Sequence, residues 1–165
     1  MSDRILNPSK VLRTLQKTPF ILGTVLSSLS PAQVSAPCSD SDSWCVLFIV
    51  CHLRDYEEVV AQRVQLMLEY EQPLLPTLDN AALVKQYAYA QQDLDVVFAA
   101  LVQRRRAVIK MLEGLTPDQW LRTGRHPEQG TGTILDVALN TSLHDIDHIE
   151  QVIRCVDAAA QSLSQ

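Results

Sequence analysis

The sequence predicts an all-α fold, a four-helix bundle with a structured loop before the last helix. Three long stretches, residues 38–72, 77–113 and 133–165, contain neither glycine nor proline. Stretches of this length suit helices far better than strands, which average about five or six residues. Four of the five glycines lie between the last two stretches, where we expect the loop. The 165-residue chain is long enough for one hydrophobic core, and we expect a single domain over residues 1–165.

The first predicted helix begins at Asn7-Pro8, an N-cap residue followed by the proline that the first helical position favours. Thr18-Pro19 repeats this pattern further along the chain. A proline inside a helix removes one backbone hydrogen bond and clashes with the preceding turn. We therefore expect the first helix to be kinked or split at Pro19.

The second helix is predicted over residues 43–71. It follows "SDSDSW", which is rich in N-cap residues, and Pro73 and Pro76 stop it. Its opening "CVLFIVC" would also suit a buried strand on composition alone. The continuation "HLRDYEEVVAQRVQLMLEYEQ" is helical in character, which favours one long helix.

The third helix is predicted between Asp79, a candidate N-cap, and Gly114, a candidate C-terminal stop. Apolar residues recur along it at alternating spacings of four and three, as one helix face requires. This face consists of Leu83, Tyr87, Ala90, Leu94, Val97 and Leu101.

The last helix is predicted to begin at Thr133, with Asp136 three positions later completing a capping box. Aspartate is a weaker choice than glutamate at that position. In the preceding loop, Thr116-Pro117 predicts one short extra helical turn. A loop of about twenty residues in a compact domain is often functional.

The charge of the chain disfavours nucleic acid as a partner. The net charge is −5, and the only basic run, Arg104 to Arg106, is expected to be a solvated helix face. No apolar run reaches the about eighteen residues that a membrane span needs. Basic residues before "FILGTVLSSL" imitate a secretory signal. Because that basic part is long and carries its own helix signals, we expect no cleavage and a cytoplasmic location.

The four cysteines, Cys38, Cys45, Cys51 and Cys155, have no CxxC spacing. Disulfide frameworks are typical of small secreted chains, which this one does not resemble. We expect reduced thiols, most of them packed along helices as small hydrophobic side chains.

Two of the four histidines, His144 and His148, lie four residues apart in "HDIDHIEQ". Helical residues at this spacing lie within about 40° of one another, so both imidazoles project from one face and can bind one metal ion. The pair interrupts an otherwise apolar stripe, and the flanking acids Asp145, Asp147 and Glu150 are expected to be solvated. Taken alone, such a pair more often consists of partly buried or surface histidines than of metal ligands.

A metal ion needs a third ligand, and His52 is the candidate. It follows the apolar "CVLFIVC" on a different helix. A lone histidine there is more often a hydrogen-bonded core residue than a ligand. Metal sites in helical bundles, however, are built from side chains on facing helices, and the combination favours a three-histidine site. His126, in "GRHPEQG", is expected to be a solvated loop residue.

The chain resembles the DinB-like superfamily of four-helix metal proteins. "SWCVLFIVCHLRDYEEVVAQR" is similar to its second helix, and "HPEQGTGTILDVALNTSLHDIDHIEQV" to its last helix and the loop before it. The resemblance implies that His52, His144 and His148 are metal ligands and that the ion is nickel or zinc. Some members resemble transferases that act with low-molecular-weight thiols. The serine- and aspartate-rich "SAPCSDSDSW" departs from the family pattern, which leaves the substrate open.

Three neutral imidazoles leave a coordination position open, as in catalytic rather than closed metal sites. A bound water becomes a nucleophile near neutral pH, and a bound thiol is deprotonated. We therefore expect a metal-dependent enzyme that acts on a small molecule, either a hydrolase or a thiol transferase. A homodimer is a separate prediction for this chain. The alternative is a non-catalytic helical bundle that binds metal for structure or interaction.

The sequence identifies no catalytic residue. Asp55 and Tyr56 follow His52 by three and four positions, so they either orient its imidazole or are ordinary surface or interface residues. Trp44, at the start of the second helix, is expected in the core rather than as a platform for substrate.

Overall fold

The computed structural model describes residues 7–38 and 44–162, with side chains to residue 158. Four long helices form a bundle, as predicted, and shorter elements connect them. The helices are α1 (Pro8–Leu26), α2 (Pro31–Ser35), α3 (Val46–Glu69), α4 (Asn80–Gln86), α5 (Leu94–Glu113), α6 (Pro117–Trp120) and α7 (Ile134–Ser162). Among these residues, no helix is both long enough and apolar enough to cross a membrane.

The order of the long helices around the bundle differs from their order in the chain. Both α1 and α3 pack against α5 and α7. Going around the bundle, the helices therefore follow one another as α1, α5, α3 and α7. Because α3 and α7 are neighbours, residues far apart in the sequence can meet between them.

Local capping signals place the ends of most helices as predicted. Side-chain oxygens of Asn7, Asp79 and Thr116 accept hydrogen bonds from the first turns of α1, α4 and α6. Thr133 and Asp136 form the predicted capping box of α7. The residues that precede Trp44 in "SDSDSW" lie outside the described residues, and the N-cap of α3 is Cys45, with no side-chain cap.

Of the two alternatives, a kink or a split at Pro19, the split is wrong, because α1 runs through this residue as one helix. Proline has no N–H to donate to the carbonyl group of Leu15, four residues earlier. That carbonyl instead accepts a hydrogen bond of 3.1 Å from Nη1 of Arg105 on α5. A tertiary contact therefore satisfies the oxygen that Pro19 leaves without its helical partner.

The prediction of one continuous third helix is also wrong. The segment forms α4, a short 3₁₀ helix (Tyr89–Gln91) and α5. Ala88 has a left-handed backbone, and this turns Tyr89 into the core, where its hydroxyl group donates a 2.7 Å hydrogen bond to buried Asp55. Asp93 then caps α5. A buried hydrogen bond to another helix thus outweighs the local helical pattern.

The loop before α7 is structured, as predicted, but it contains a hairpin that the sequence analysis did not identify. Strand β1 (Thr123–His126) pairs antiparallel with β2 (Gly130–Thr133). A side chain at Gly124 would lie 2.7 Å from Leu75 and 2.9 Å from Met67, so only glycine allows β1 to pack this closely on α3.

A buried polar layer crosses the bundle between two apolar clusters. Arg105 is 2% exposed; it pairs with Glu57 at 2.5 Å and with Asp145 at 2.6 Å, and Thr18 also donates to Asp145. Each of the four long helices contributes one of these side chains. The expectations that Arg105 and Asp145 are solvated are therefore wrong, because each has its charged partner on another helix.

The expectation of four reduced thiols is wrong for two of them. Cys38 and Cys155 form a disulfide across 117 residues of sequence, with their Cα atoms 4.8 Å apart. Cys45 and Cys51 are free. Spacing in the sequence could not reveal this pair, because the fold alone brings the segment after α2 against α7. Disulfides are typical of oxidising compartments, so this one does not favour the cytoplasmic location, which stays a prediction.

Candidate metal centre

Three imidazoles converge between α3 and α7. Nε2 of His144 lies 2.9 Å from Nε2 of His52 and 3.2 Å from Nε2 of His148. The potential ligand atoms of all three lie within 4.8 Å of one another. The spacing argument for His144 and His148 and the choice of His52 thus agree with the geometry. That these residues bind a metal ion stays a prediction.

Two amide side chains hold the outer nitrogens of this cluster. Nδ1 of His52 lies 2.9 Å from Oδ1 of Asn80, and Nδ1 of His148 lies 2.8 Å from Oε1 of Gln151. An amide oxygen only accepts, so both Nδ1 atoms carry hydrogen and both Nε2 atoms present lone pairs to the cluster. Nδ1 of His144 is buried without a hydrogen-bond partner among the described residues.

Burial keeps the three imidazoles neutral. It lowers the pKa of His52 from 6.5 to about 4, with a further contribution from nearby His148. It lowers the pKa of His144 to about 2, and His148 and His52 add to this effect. The pKa of His148 is also lowered, again mainly by burial. At neutral pH the cluster is therefore a set of uncharged nitrogen donors.

Aromatic rings enclose part of the cluster. The ring of Tyr56 stacks on His144 with centroids 4.1 Å apart, and the ring of half-buried Trp44 lies 5.3 Å from that of His52. Trp44 packs against an apolar cluster, in line with the expectation that it belongs to the core.

Neither Asp55 nor Tyr56 orients His52 through a hydrogen bond. Asp55 instead binds Arg54 at 2.8 Å and accepts from Tyr89. The residue that holds His52 is Asn80, which the sequence analysis did not identify. Nothing in its local sequence relates Asn80 to His52, since the contact depends on how α4 packs.

Comparison with known proteins agrees with the fold. The sequence profile of the DinB superfamily matches residues 14–152, which include all three histidines. The chain belongs to the DinB superfamily. No curated protein matches it at a significant level.

Two solved structures share the fold of this DinB-superfamily chain. One is YfiT from Bacillus subtilis, which is described as a probable metal-dependent hydrolase with an unusual four-helix bundle topology. It is 21% identical to this chain, and the two structures align with a TM-score of 0.85 over 96% of this chain and 91% of YfiT. TT2238, described as a four-helix bundle protein, is also 21% identical, with a TM-score of 0.63 over 87% of this chain and 96% of its own. At these identities the likeness establishes the four-helix architecture.

His126, the fourth histidine of this DinB-superfamily chain, lies outside the cluster. It is half-buried in β1, and its Nδ1 accepts hydrogen bonds from the backbone N–H groups of Glu128 and Gln129 at 3.2 and 3.3 Å. The structure thus separates His126 from the other three histidines, although it is more buried than a solvated loop residue.

The metal-free protein is expected to lose stability as the pH falls from 6.5 towards 4. Over this range the unfolded chain binds protons at His52 and His144 while the folded chain does not, since their folded pKa values are about 4 and about 2. The contribution of these neutral histidines to the free energy of unfolding is therefore fully present above pH 6.5. Below that pH it decreases, by about 2 kcal/mol per histidine at pH 5. Urea unfolding at a series of pH values measures this effect.

The variant His144→Asn should show a shallower pH dependence than the parent. His126→Asn, which changes a histidine outside the cluster, is the matched control and should keep the parent's dependence. If His144→Asn retained the full dependence between pH 6.5 and 5, burial of the cluster would not be its cause.

Proposed function

We propose that this protein is a metal-dependent hydrolase of a small molecule, with His52, His144 and His148 as the ligands of a divalent ion. The observation that carries the proposal is the convergence of three neutral Nε2 atoms at 2.9 and 3.2 Å. The description of YfiT as a probable metal-dependent hydrolase supports the same reaction class.

The donor set fits a metal ion. With Nδ1 of His52 and His148 protonated, their two Nε2 lone pairs point towards Nε2 of His144. A single hydrogen on His144 can satisfy only one of them, and its buried Nδ1 then stays an acceptor without a donor. A cation among the three Nε2 atoms would bind all three lone pairs, and the hydrogen of His144 would then lie on Nδ1, which has no partner in either case.

The chemistry of the ligands favours nickel or zinc. Neutral imidazoles suit zinc, copper, iron and nickel, whereas magnesium and calcium prefer oxygen ligands. Among the described residues, no carboxylate belongs to the group of side chains that could hold the ion. We therefore propose nickel or zinc as the ion.

When bound at such a site, a divalent ion lowers the pKa of a coordinated water and polarises a carbonyl group. The chain's own residues prepare this chemistry. Asn80 and Gln151 hold two imidazoles in the tautomer that presents Nε2, as outer hydrogen bonds to metal-binding histidines do. Tyr56 covers one face of His144 and Trp44 lies beside His52, so both rings limit the access of water.

Thiol transfer and homodimer formation stay predictions, since no contact within the described residues favours either. The protein's own sulfur atoms are poorly suited to fill the site. Cys155 is bound to Cys38, and burial raises the pKa of the Cys51 thiol to about 12, so this thiol stays protonated. Among the described residues, no cysteine belongs to the group of side chains that could hold the ion, so a thiol ligand would come from solution.

The proposal is tested with tag-free protein, stripped of metal and reloaded with nickel or zinc, on a panel of small esters and amides. We expect hydrolysis only in the reloaded protein, at least about 100-fold faster than with His148→Ala protein, because the ligand set holds the reacting water. The cobalt-loaded protein should also bind azide, which reports an open coordination position. A tightly bound ion with neither hydrolysis nor azide binding would establish the non-catalytic alternative.

A further inference from the structure

A second polar cavity, of about 330 Å³, lies between the hairpin and the bundle. Its volume is at the lower end of the range of small-molecule sites, which begins at about 300 Å³. Its walls include Arg63 of α3, Asn140 of α7, His126 of β1 and the backbone of β2. None of the three clustered histidines belongs to its lining, although Asn140 lies one helical turn before His144.

Arg63 is the cation of this cavity, and it has no carboxylate partner among the described residues. This residue is only 6% exposed. Nε donates to the carbonyl oxygen of Pro76 at 2.9 Å, and Nη1 donates to the hydroxyl oxygen of Tyr56 at 3.3 Å. Both partners are neutral. A buried charge usually has a counter-charge, because removing it from water is costly.

The outer edge of this guanidinium remains available to a ligand. Nη2 of Arg63 makes no hydrogen bond. It is nevertheless accessible to solvent, because among the described side chains the one buried atom without a hydrogen-bond partner is Nδ1 of His144. Nη1 uses one hydrogen towards Tyr56 and retains a second. Adjacent N–H groups of this kind form the fork that binds a carboxylate through both oxygens.

Two further side chains that carry donors line the same cavity. Nδ1 of His126 accepts two backbone N–H groups, so Nε2 is the ring nitrogen that carries hydrogen. The side-chain amide of Asn140 is exposed and has no hydrogen-bond partner among the described residues. Asp136 is the one acidic side chain of the lining, but it is exposed and engaged with Thr133 at 2.6 Å. An anion would therefore bind at the Arg63 side, away from Asp136.

We propose that this cavity binds the carboxylate group of a small molecule, with Arg63 as the anchor and Asn140 and His126 as supporting donors. Tyr56 connects the two sites, because it accepts from Arg63 and stacks on His144. The carboxylate would belong to the substrate of the histidine site, and this assignment rests on the proposed function. Binding of the carboxylate itself does not depend on it.

The test is a titration of metal-free protein with butyrate, followed by two-dimensional ¹H–¹⁵N NMR. Butyramide serves as the neutral isostere and inorganic phosphate as the alternative anion. We expect saturable shifts from butyrate at the resonances of Asn140 and the hairpin, and none from butyramide. Arg63→Gln should weaken butyrate binding about tenfold or more, and Arg63→Lys should weaken it as well, because lysine lacks the planar fork.

Because Arg63 is buried, a second variant keeps the test decisive if Arg63→Gln fails to fold. Asn140→Asp, at an exposed position, adds a negative charge to the cavity and should abolish the butyrate shifts. Arg13→Gln, which removes an exposed arginine from α1, is the control for net charge and should bind butyrate like the parent. Equal shifts from butyrate and butyramide, tighter binding of phosphate, or unchanged binding in Asn140→Asp would each overturn the proposal. Since the protein is metal-free, failure of the hydrolase proposal leaves these outcomes unaffected.

Discussion

Replacing His148 with alanine is expected to remove nearly all of the bound metal. The two remaining imidazoles, His52 and His144, come from different helices, and nothing else among the described residues completes the group. Loss of an outer hydrogen bond to a metal-binding histidine already costs about 10- to 100-fold in affinity, and loss of a ligand should cost more than that. Elemental analysis of tag-free protein after dialysis measures the effect.

His126→Ala is the matched control, because it removes a histidine that lies outside the cluster. It should retain most of the metal. Asn80→Ala should have an intermediate effect, since it leaves all three ligands in place but releases Nδ1 of His52. Equal loss of metal from the His126 and His148 variants would contradict the assignment of the ligands.

Replacing Arg105 with methionine is expected to destabilise the protein by about 3–5 kcal/mol, because it leaves two buried carboxylates without their cation. Glu57 is 1% exposed and Asp145 is 4% exposed. The carbonyl oxygen of Leu15 loses its donor as well. Typical domains unfold with about 5–15 kcal/mol, so the variant should lose a large share of its stability in urea unfolding.

Arg106→Met is the control for this experiment, since Arg106 is the exposed neighbour of Arg105 on the same helix. Its stability should stay within about 0.5 kcal/mol of the parent. Adding Glu57→Leu to Arg105→Met should recover part of the loss, because it removes one of the stranded charges. A loss of similar size in the Arg105 and Arg106 variants would show that the buried layer does not depend on the guanidinium.

The contrast between Arg105 and Arg106 shows that a run of charged residues does not by itself determine which of them are exposed. Arg104, Arg105 and Arg106 are alike in sequence, and such runs are usually solvated. Arg105 is buried because α1, α3 and α7 each present a polar partner at the same level of the bundle. Asp145, which is predicted to be solvated because it lies off the apolar stripe of α7, belongs to the same buried layer. Pairwise charge contacts between helices are not visible in the spacing along one of them.

The sequence by itself determined the helical class, most helix ends and the shared helix face of His144 and His148. These features depend on local interactions: caps such as Asn7 and Thr133 bind the backbone three residues away, and the spacing of His144 and His148 places both on one helix face. The burial of His52 also agrees with the apolar residues that precede it. In each case, the interacting residues lie within one or two helical turns of one another.

Only the tertiary structure decided the remaining features, because each depends on a contact between residues distant in sequence. Tyr89 bonds to Asp55 and interrupts the predicted third helix. Cys38 meets Cys155 across 117 residues. Asn80 holds His52, and α3 packs beside α7 so that His52 reaches His144. The free energy of these contacts is gained only when the helices assemble, so no local pattern of residues could specify them.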